Sequence, residues 1–203
     1  MAYDDRYAYA AWAVFTFPGL ELLAVSGARH PVTAEYRTGF LAQRELPALR
    51  AAFAQLKIRP DVIICDGAGI AHPRRRGLVR ELGQALGIPT IGCAKTRLVG
   101  RRLEPGKEPG SHRAIRVGRE TLGTILRTKA GVKPVYVSPG QLITVAAAWR
   151  VVLACCRGYR LPEPLRRAHF EAGRLRAAAS AAETATARRP AARRHPSASS
   201  EER

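Results

Sequence analysis

The strongest constraint on the fold lies between residues 61 and 93, which read DVIICDGAGIAHPRRRGLVRELGQALGIPTIGC. Val62–Cys65 is a short apolar run, as a buried strand requires, and it stops at Asp66. Leu78–Leu86 carries apolar residues at helical spacing and ends near Gly87. Ile88–Cys93 is a second short apolar run. Strand, helix and strand in so little chain must stack as layers, because each element has an apolar face to cover.

The flanking segments fit the same plan. Residues 7–17, YAYAAWAVFTF, are rich in aromatic and β-branched side chains and read as a strand. Pro18-Gly19 marks a turn, and residues 20–30 form a second strand antiparallel to the first. Residues 40–57 read as a helix, with Leu46, Leu49, Phe53 and Leu56 three or four residues apart. Pro47 fits a first turn or a kink there. Residues 100–120 are charged and rich in Gly and Pro, and read as a loop. Residues 121–127 and 133–138 read as a hairpin around Lys129-Ala130-Gly131, and 142–157 as a helix. From 170 to 203 the composition turns to Ala, Arg, Ser and Pro without a pattern, and a disordered tail is expected. The sequence therefore specifies an α/β layered domain over 1–169, with a mixed sheet flanked by helices, followed by that tail.

At 203 residues and 46% apolar content the chain is long and apolar enough for one real core. The net charge is +18. Residues 171–203 hold seven arginines and four glutamates, a net of +3, which leaves +15 on the folded part. That excess points to a polyanionic partner, nucleic acid first. The four cysteines show no metal-ligand spacing. No segment has the charge and apolar pattern of a secretory leader, and no apolar run approaches the ~18 residues of a membrane span. A cytoplasmic protein with no membrane partner is expected.

In sheets of this kind chemistry collects at the carboxyl ends of strands, where Asp66 falls. A lone carboxylate followed by Gly67 and Gly69 suits a hard divalent cation near a phosphate, and the glycines leave room for a nucleotide. His72 and Arg74–Arg76 can face phosphates. An Asp-Gly pair can equally be a simple turn. Glu45 reads by pattern as a helix-surface glutamate beside Arg44. Lys95 sits just past the end of the strand IPTIGC, where it can neutralise phosphate charge or be an ordinary surface lysine.

The ordered blocks YRTGFLAQRELP, PDVIICDGAGIAHPRRRGL, GIPTIGCAKTRLVG, RTKAGVKPVYVSPG and GYRLPEPLRRAH closely resemble the endonuclease V family, nucleases that repair deaminated purines. The resemblance spans roughly residues 3–169 and implies a ribonuclease H-like fold. It implies that Mg²⁺, or Mn²⁺ in its place, is held by acids including Glu45 and Asp66. It also implies that Lys95 serves catalysis and that DNA is cut at the second phosphodiester 3′ of deoxyinosine. By the same resemblance Tyr36 wedges into the duplex and helps expose the lesion. Gly39, Leu41, Gly67, Gly69, His72 and Leu98 shape the base pocket, Arg74 holds the phosphate strand, and His169 matches a histidine found in some members. A monomer is the default for an enzyme that clasps one lesion, and RNA is a second candidate substrate.

The sequence departs from the family pattern in places. The family's first aspartate would fall just before Met1, and Asp4 and Asp5 are out of register to replace it. The expectation is that the reading frame starts upstream, and that the chain beginning at Met1 cuts weakly while keeping nucleic-acid affinity. Ala68 stands where the family has histidine, Gln141 likewise, and Glu35-Tyr36-Arg37-Thr38 replaces a stiffer proline-containing wedge. The leading expectation is a repair endonuclease. The alternatives are a non-catalytic binder of inosine-containing nucleic acid and a general basic RNA-binding protein.

Overall fold

The computed structural model describes residues 1–32, 41–101 and 103–187. Strands β1 (Ala2–Tyr3), β2 (Tyr7–Phe15) and β3 (Leu22–Pro31) form an antiparallel meander in the order β1-β2-β3. The hairpin expected from Pro18-Gly19 pairs Tyr7 with Pro31 at one end and Phe15 with Leu22 at the other. Helix α1 (Leu41–Phe53) follows. It carries Pro47 in its interior.

The strand–helix–strand unit forms as its pattern requires. Strand β4 (Ile63–Cys65) and β5 (Thr90–Ala94) pair in parallel across helix α2 (Leu78–Leu86). Helix α2 ends at Gly87, whose φ of 64° is the left-handed conformation that closes a helix cheaply only in glycine. Strands β6 (His112–Val117), β7 (Glu120–Leu126) and β8 (Val135–Gln141) complete a five-stranded mixed sheet in the order β4-β5-β8-β7-β6. Helices α3 (Val145–Ala154) and α4 (Glu163–Ala187) close the chain.

Two sequence readings are corrected here. The loop expected over 100–120 contains β6. Of its residues only Ile115 is buried, so as a charged edge strand it lacks the apolar alternation that marks a strand. Residues 170–187, read as part of an unstructured tail, continue α4 as helix. Alanine needs no amphipathic stripe to be helical. The remaining tail residues, 188–203, lie outside the described part.

Apolar clusters form on both faces. One joins Ala8, Ala10 and Trp12 of β2 with Ala48, Leu49 and Ala52 of α1, and with Leu78, Val79 and Leu82 of α2. The other joins Ile91 and Cys93 of β5 and Val135 and Val137 of β8 with Ala148 and Val152 of α3 and Leu165 of α4. Alternation along β3 shows the two coverings. Ser26 donates to the Ala52 carbonyl of α1 at 2.8 Å, and the next residue, Gly27, packs beneath Leu175 of α4. Burying each large aliphatic side chain contributes about 1.5–3 kcal/mol.

Among the described residues the two sheets do not join. Strand β1 covers only Ala8 and Tyr9 of β2. Beyond that point the edge of β2 faces β4 across an apolar groove of about 430 Å³, lined by Trp12, Phe15, Leu23, Ile58, Ile63 and Val151 among others.

Candidate active site

Asp66 stands one residue past β4, and Lys95 one residue past β5. Because these strands are parallel neighbours, both side chains emerge on the same edge of the sheet. There Lys95 donates to Asp66 Oδ2, and His169 of α4 meets the same oxygen at 3.1 Å. Burial pushes the Asp66 carboxyl up, but the hydrogen bonds from His169 and Lys95 outweigh it and hold the group below the usual aspartate range. Asp66 is therefore a fixed anion at neutral pH.

Glu45 projects from α1 into the same cleft and is only 8% exposed. Its Oε1 accepts a hydrogen bond from the Tyr3 hydroxyl at 2.5 Å. Burial raises the Glu45 carboxyl above the ordinary glutamate range, and the negative charge of Asp66 pushes the same way. The Tyr3 bond and the charges of the amino terminus and Arg44 act against this shift without cancelling it. The Tyr3 phenol is driven well above its usual range, first by burial and then by Glu45. Arg44 lies over the Tyr3 ring at 4.7 Å.

The cleft has a volume of about 560 Å³, and Met1, Tyr3, Glu45, Asp66, His72 and Lys95 are among its lining residues. Gly67, Arg76, Leu98 and His169 line it too. Leu98 is half exposed, as a side chain offered to a ligand would be. His72 is buried, and its burial lowers the ring pKa, so it is neutral at pH 7. Its Nδ1 accepts from the Arg74 amide at 3.3 Å.

The loop after Asp66 is sewn to β8. The Gly69 amide donates to Ser138 Oγ at 2.9 Å, and the Ile70 amide to the Pro139 carbonyl at 2.8 Å. A Cβ on Gly69 would stand 1.9 Å from that carbonyl oxygen. Gly69 therefore serves the close approach of two backbones, and its free space is taken by β8. Gly67, at φ 143°, adopts a conformation that favours glycine.

The arginines after Asp66 separate. Arg75 pairs with Glu120 at 2.8 Å, Arg76 pairs with Glu81 at 2.8 Å at the cleft margin, and the Arg74 residue is exposed. Tyr36 and Gly39 lie outside the described residues. Leu41 opens α1, and its side chain lies outside them as well. Asp4 is spent on the turn after β1. Its carboxylate accepts from the amides of Arg6 and Tyr7 and from the Tyr9 hydroxyl. Cys65, next to Asp66, is a core residue, and burial pushes its thiol up to about 12, far from a nucleophile's range.

Sequence reasoning missed Tyr3 as a partner of Glu45 and gave His169 only a minor place. The first is 42 residues from its partner and the second 103, so neither contact leaves a local signal.

The donor set suits a hard cation, since two carboxylates with oxygen ligands completed by water and phosphate are what Mg²⁺ takes. Among the described residues no group of three or more His, Cys, Asp and Glu side chains is arranged to hold a metal. Asp66 and Glu45 are the carboxylates among the residues lining this cleft.

A mixed sheet between helices, with a strand-end aspartate, a second acid and a lysine in one cleft, defines a nuclease of the ribonuclease H-like class. The chain belongs to the endonuclease V family, whose model matches residues 1–170. It is 46% identical over 163 residues to endonuclease V of Trichormus variabilis, covering 80% of this chain and 74% of that protein. It is similar to the crystal structure of endonuclease V from Streptomyces avermitilis, with a TM-score of 0.83, 40% identity, and coverage of 88% of this chain and 79% of that one. The Bacillus subtilis endonuclease V structure also gives a TM-score of 0.83, at 31% identity over 89% of this chain and 78% of the other.

Proposed function

We propose that this nuclease is metal-dependent and acts on nucleic acid containing deaminated purines, cutting DNA at the second phosphodiester 3′ of deoxyinosine. The observation that carries this reading is the convergence of Asp66, Glu45, Lys95 and His169 on one cleft at the ends of parallel strands. Asp66 and Glu45 would hold Mg²⁺, or Mn²⁺ in its place. A bound divalent ion lowers the pKa of water and neutralises charge developing on the phosphate. Lys95 brings a positive charge to the same position and keeps Asp66 ionised. His169 fixes the orientation of Asp66 from the opposite wall. Neutral His72 and the exposed face of Leu98 shape the base side of the cleft. Tyr36, Gly39 and Leu41 are proposed to complete that side, with Tyr36 as the wedge. Gly67 and Gly69 set the backbone path beneath it, and Arg74 faces the phosphate strand.

The test is incubation of the full chain with Mn²⁺ or Mg²⁺ and a labelled duplex containing one deoxyinosine. A nick between the lesion's 3′ neighbour and the nucleotide after it, lost in Asp66→Ala and in chelator, is expected. Equal cutting by Asp66→Ala would overturn the assignment.

A second reading has its own observation. The Asp4 carboxylate is locked into the turn after β1, so the cleft has two acids to offer, and one of them, Glu45, is engaged by Tyr3. On this reading the chain binds inosine-containing nucleic acid and cuts it poorly. Tight, inosine-selective binding without a nick in either metal identifies it. Running the same assay on an inosine-containing RNA strand decides between DNA and RNA as substrate.

A further inference from the structure

Tyr159 and Phe170 are large aromatic side chains left 50% and 62% exposed. A single exposed aromatic needs no explanation. Each adjoins in sequence a residue bonded at the cleft. Tyr159 precedes Arg160, whose guanidinium donates to the Lys95 carbonyl at 2.8 Å. Phe170 follows His169, which holds Asp66. Arg166 lies 3.6 Å from the Tyr159 ring centroid, and Phe170 stands one helical turn after it, on the same side of α4. Lys129 approaches Tyr159 at 5.9 Å, and Arg167 approaches Phe170 at 5.7 Å. Arg166 also pairs with Glu163 at 2.9 Å, and Arg167 with Glu171 at 2.7 Å, which holds both near the rings instead of leaving them free in solvent. The result is two exposed rings with three cationic side chains over or near them, on and beside the first turns of α4.

We infer that this patch is a track for single-stranded nucleic acid, on which unpaired nucleotides beside the lesion stack on Tyr159 and Phe170 while Lys129, Arg166 and Arg167 meet their phosphates. The inference rests on the proposed nuclease function and extends it to the substrate's flanking strand. The chemistry selects the occupant. A base in a duplex already has both faces stacked, so ring faces beside cationic side chains reward an unpaired strand. The charge of +18 on the chain matches a polyanion.

The test measures binding of the full chain to a fluorescent 15-nucleotide strand of thymidines, by anisotropy at two or more salt concentrations, alongside the inosine nicking assay. Tyr159→Ala and Phe170→Ala are expected to weaken binding at least about fivefold each, the low end of what one stacked base contributes. Tyr159→Phe and Phe170→Tyr keep the rings and are expected to retain affinity. Arg166→Gln is expected to reduce the salt slope by roughly 0.7, the value for one phosphate contact on a single strand. Unchanged affinity in both alanine variants overturns the track, as does equal loss in Tyr159→Phe and Tyr159→Ala. Ring-dependent binding by a chain that does not nick inosine leaves the track standing and removes the nuclease reading. Nicking with ring-independent binding does the reverse.

Discussion

Replacing Gly69 with alanine is the sharpest test of how the fold holds Asp66. The added Cβ would sit 1.9 Å from the Pro139 carbonyl oxygen and 2.5 Å from its carbon. Both are backbone atoms of a central strand, so no rotamer change relieves the overlap. The loop must lift from β8 by more than 1 Å to restore ordinary contact. That breaks the bonds from Gly69 to Ser138 and from Ile70 to Pro139, and Ser138 is only 1% exposed. Two lost hydrogen bonds at about 1 kcal/mol each, plus a buried hydroxyl left unpaired at about 1 kcal/mol or more, give roughly 3 kcal/mol. For a chain of this length that corresponds to a fall of about 6–12 °C in melting temperature. Asp66 sits at the start of the lifted loop, so nicking is expected to fall sharply at temperatures where the variant is still folded. Gly173→Ala is the control. Its site in α4 is open, and alanine there is expected to be neutral or stabilising by up to about 1 kcal/mol. A Gly69→Ala protein that melts within about 2 °C of the parent and nicks at the parent rate would refute the reasoning.

The two acids of the cleft are expected to respond oppositely to neutralisation in chelator. Burial raises Glu45, so its ionisation costs stability as pH rises through that raised value; Glu45→Gln is expected to melt higher than the parent at pH 8, with the gain vanishing near pH 4, while losing nicking. Asp66 is lowered, so its bonds stabilise the fold above the unfolded aspartate value and are lost as pH falls through the lower folded one. Asp66→Asn is accordingly expected to melt lower than the parent at pH 7, and scanning calorimetry over pH 3–8 checks the pair. Leu82→Ala empties a fully buried position between α2 and the sheet, and is expected to cost about 2–5 kcal/mol in urea unfolding without moving the metal dependence of nicking.

The parts of this architecture that were readable are those with local causes. Val62–Cys65 and Leu78–Leu86 announced themselves because strand and helix periods differ and Gly87 closes the helix. Asp66 and Lys95 were readable as strand-end residues for the same reason. Glu45 was not, since its neighbours read as a helix surface and its partner Tyr3 lies 42 residues away. Its assignment came from resemblance. The Tyr3 and His169 contacts are set wholly by tertiary packing. Strand β6 escaped because an exposed, arginine-bearing edge strand with one buried residue looks like a loop, and the end of α4 because alanine and arginine give no apolar stripe.

The split between the two sheets sets how the molecule behaves in a tube. Along Ala10–Phe15 and Ile63–Cys65 the edges, unpaired among the described residues, face each other over an apolar floor, and an extended segment from a neighbouring molecule would fit the gap. Light scattering at rising concentration is expected to show association through this gap, and a short apolar peptide in excess is expected to suppress it.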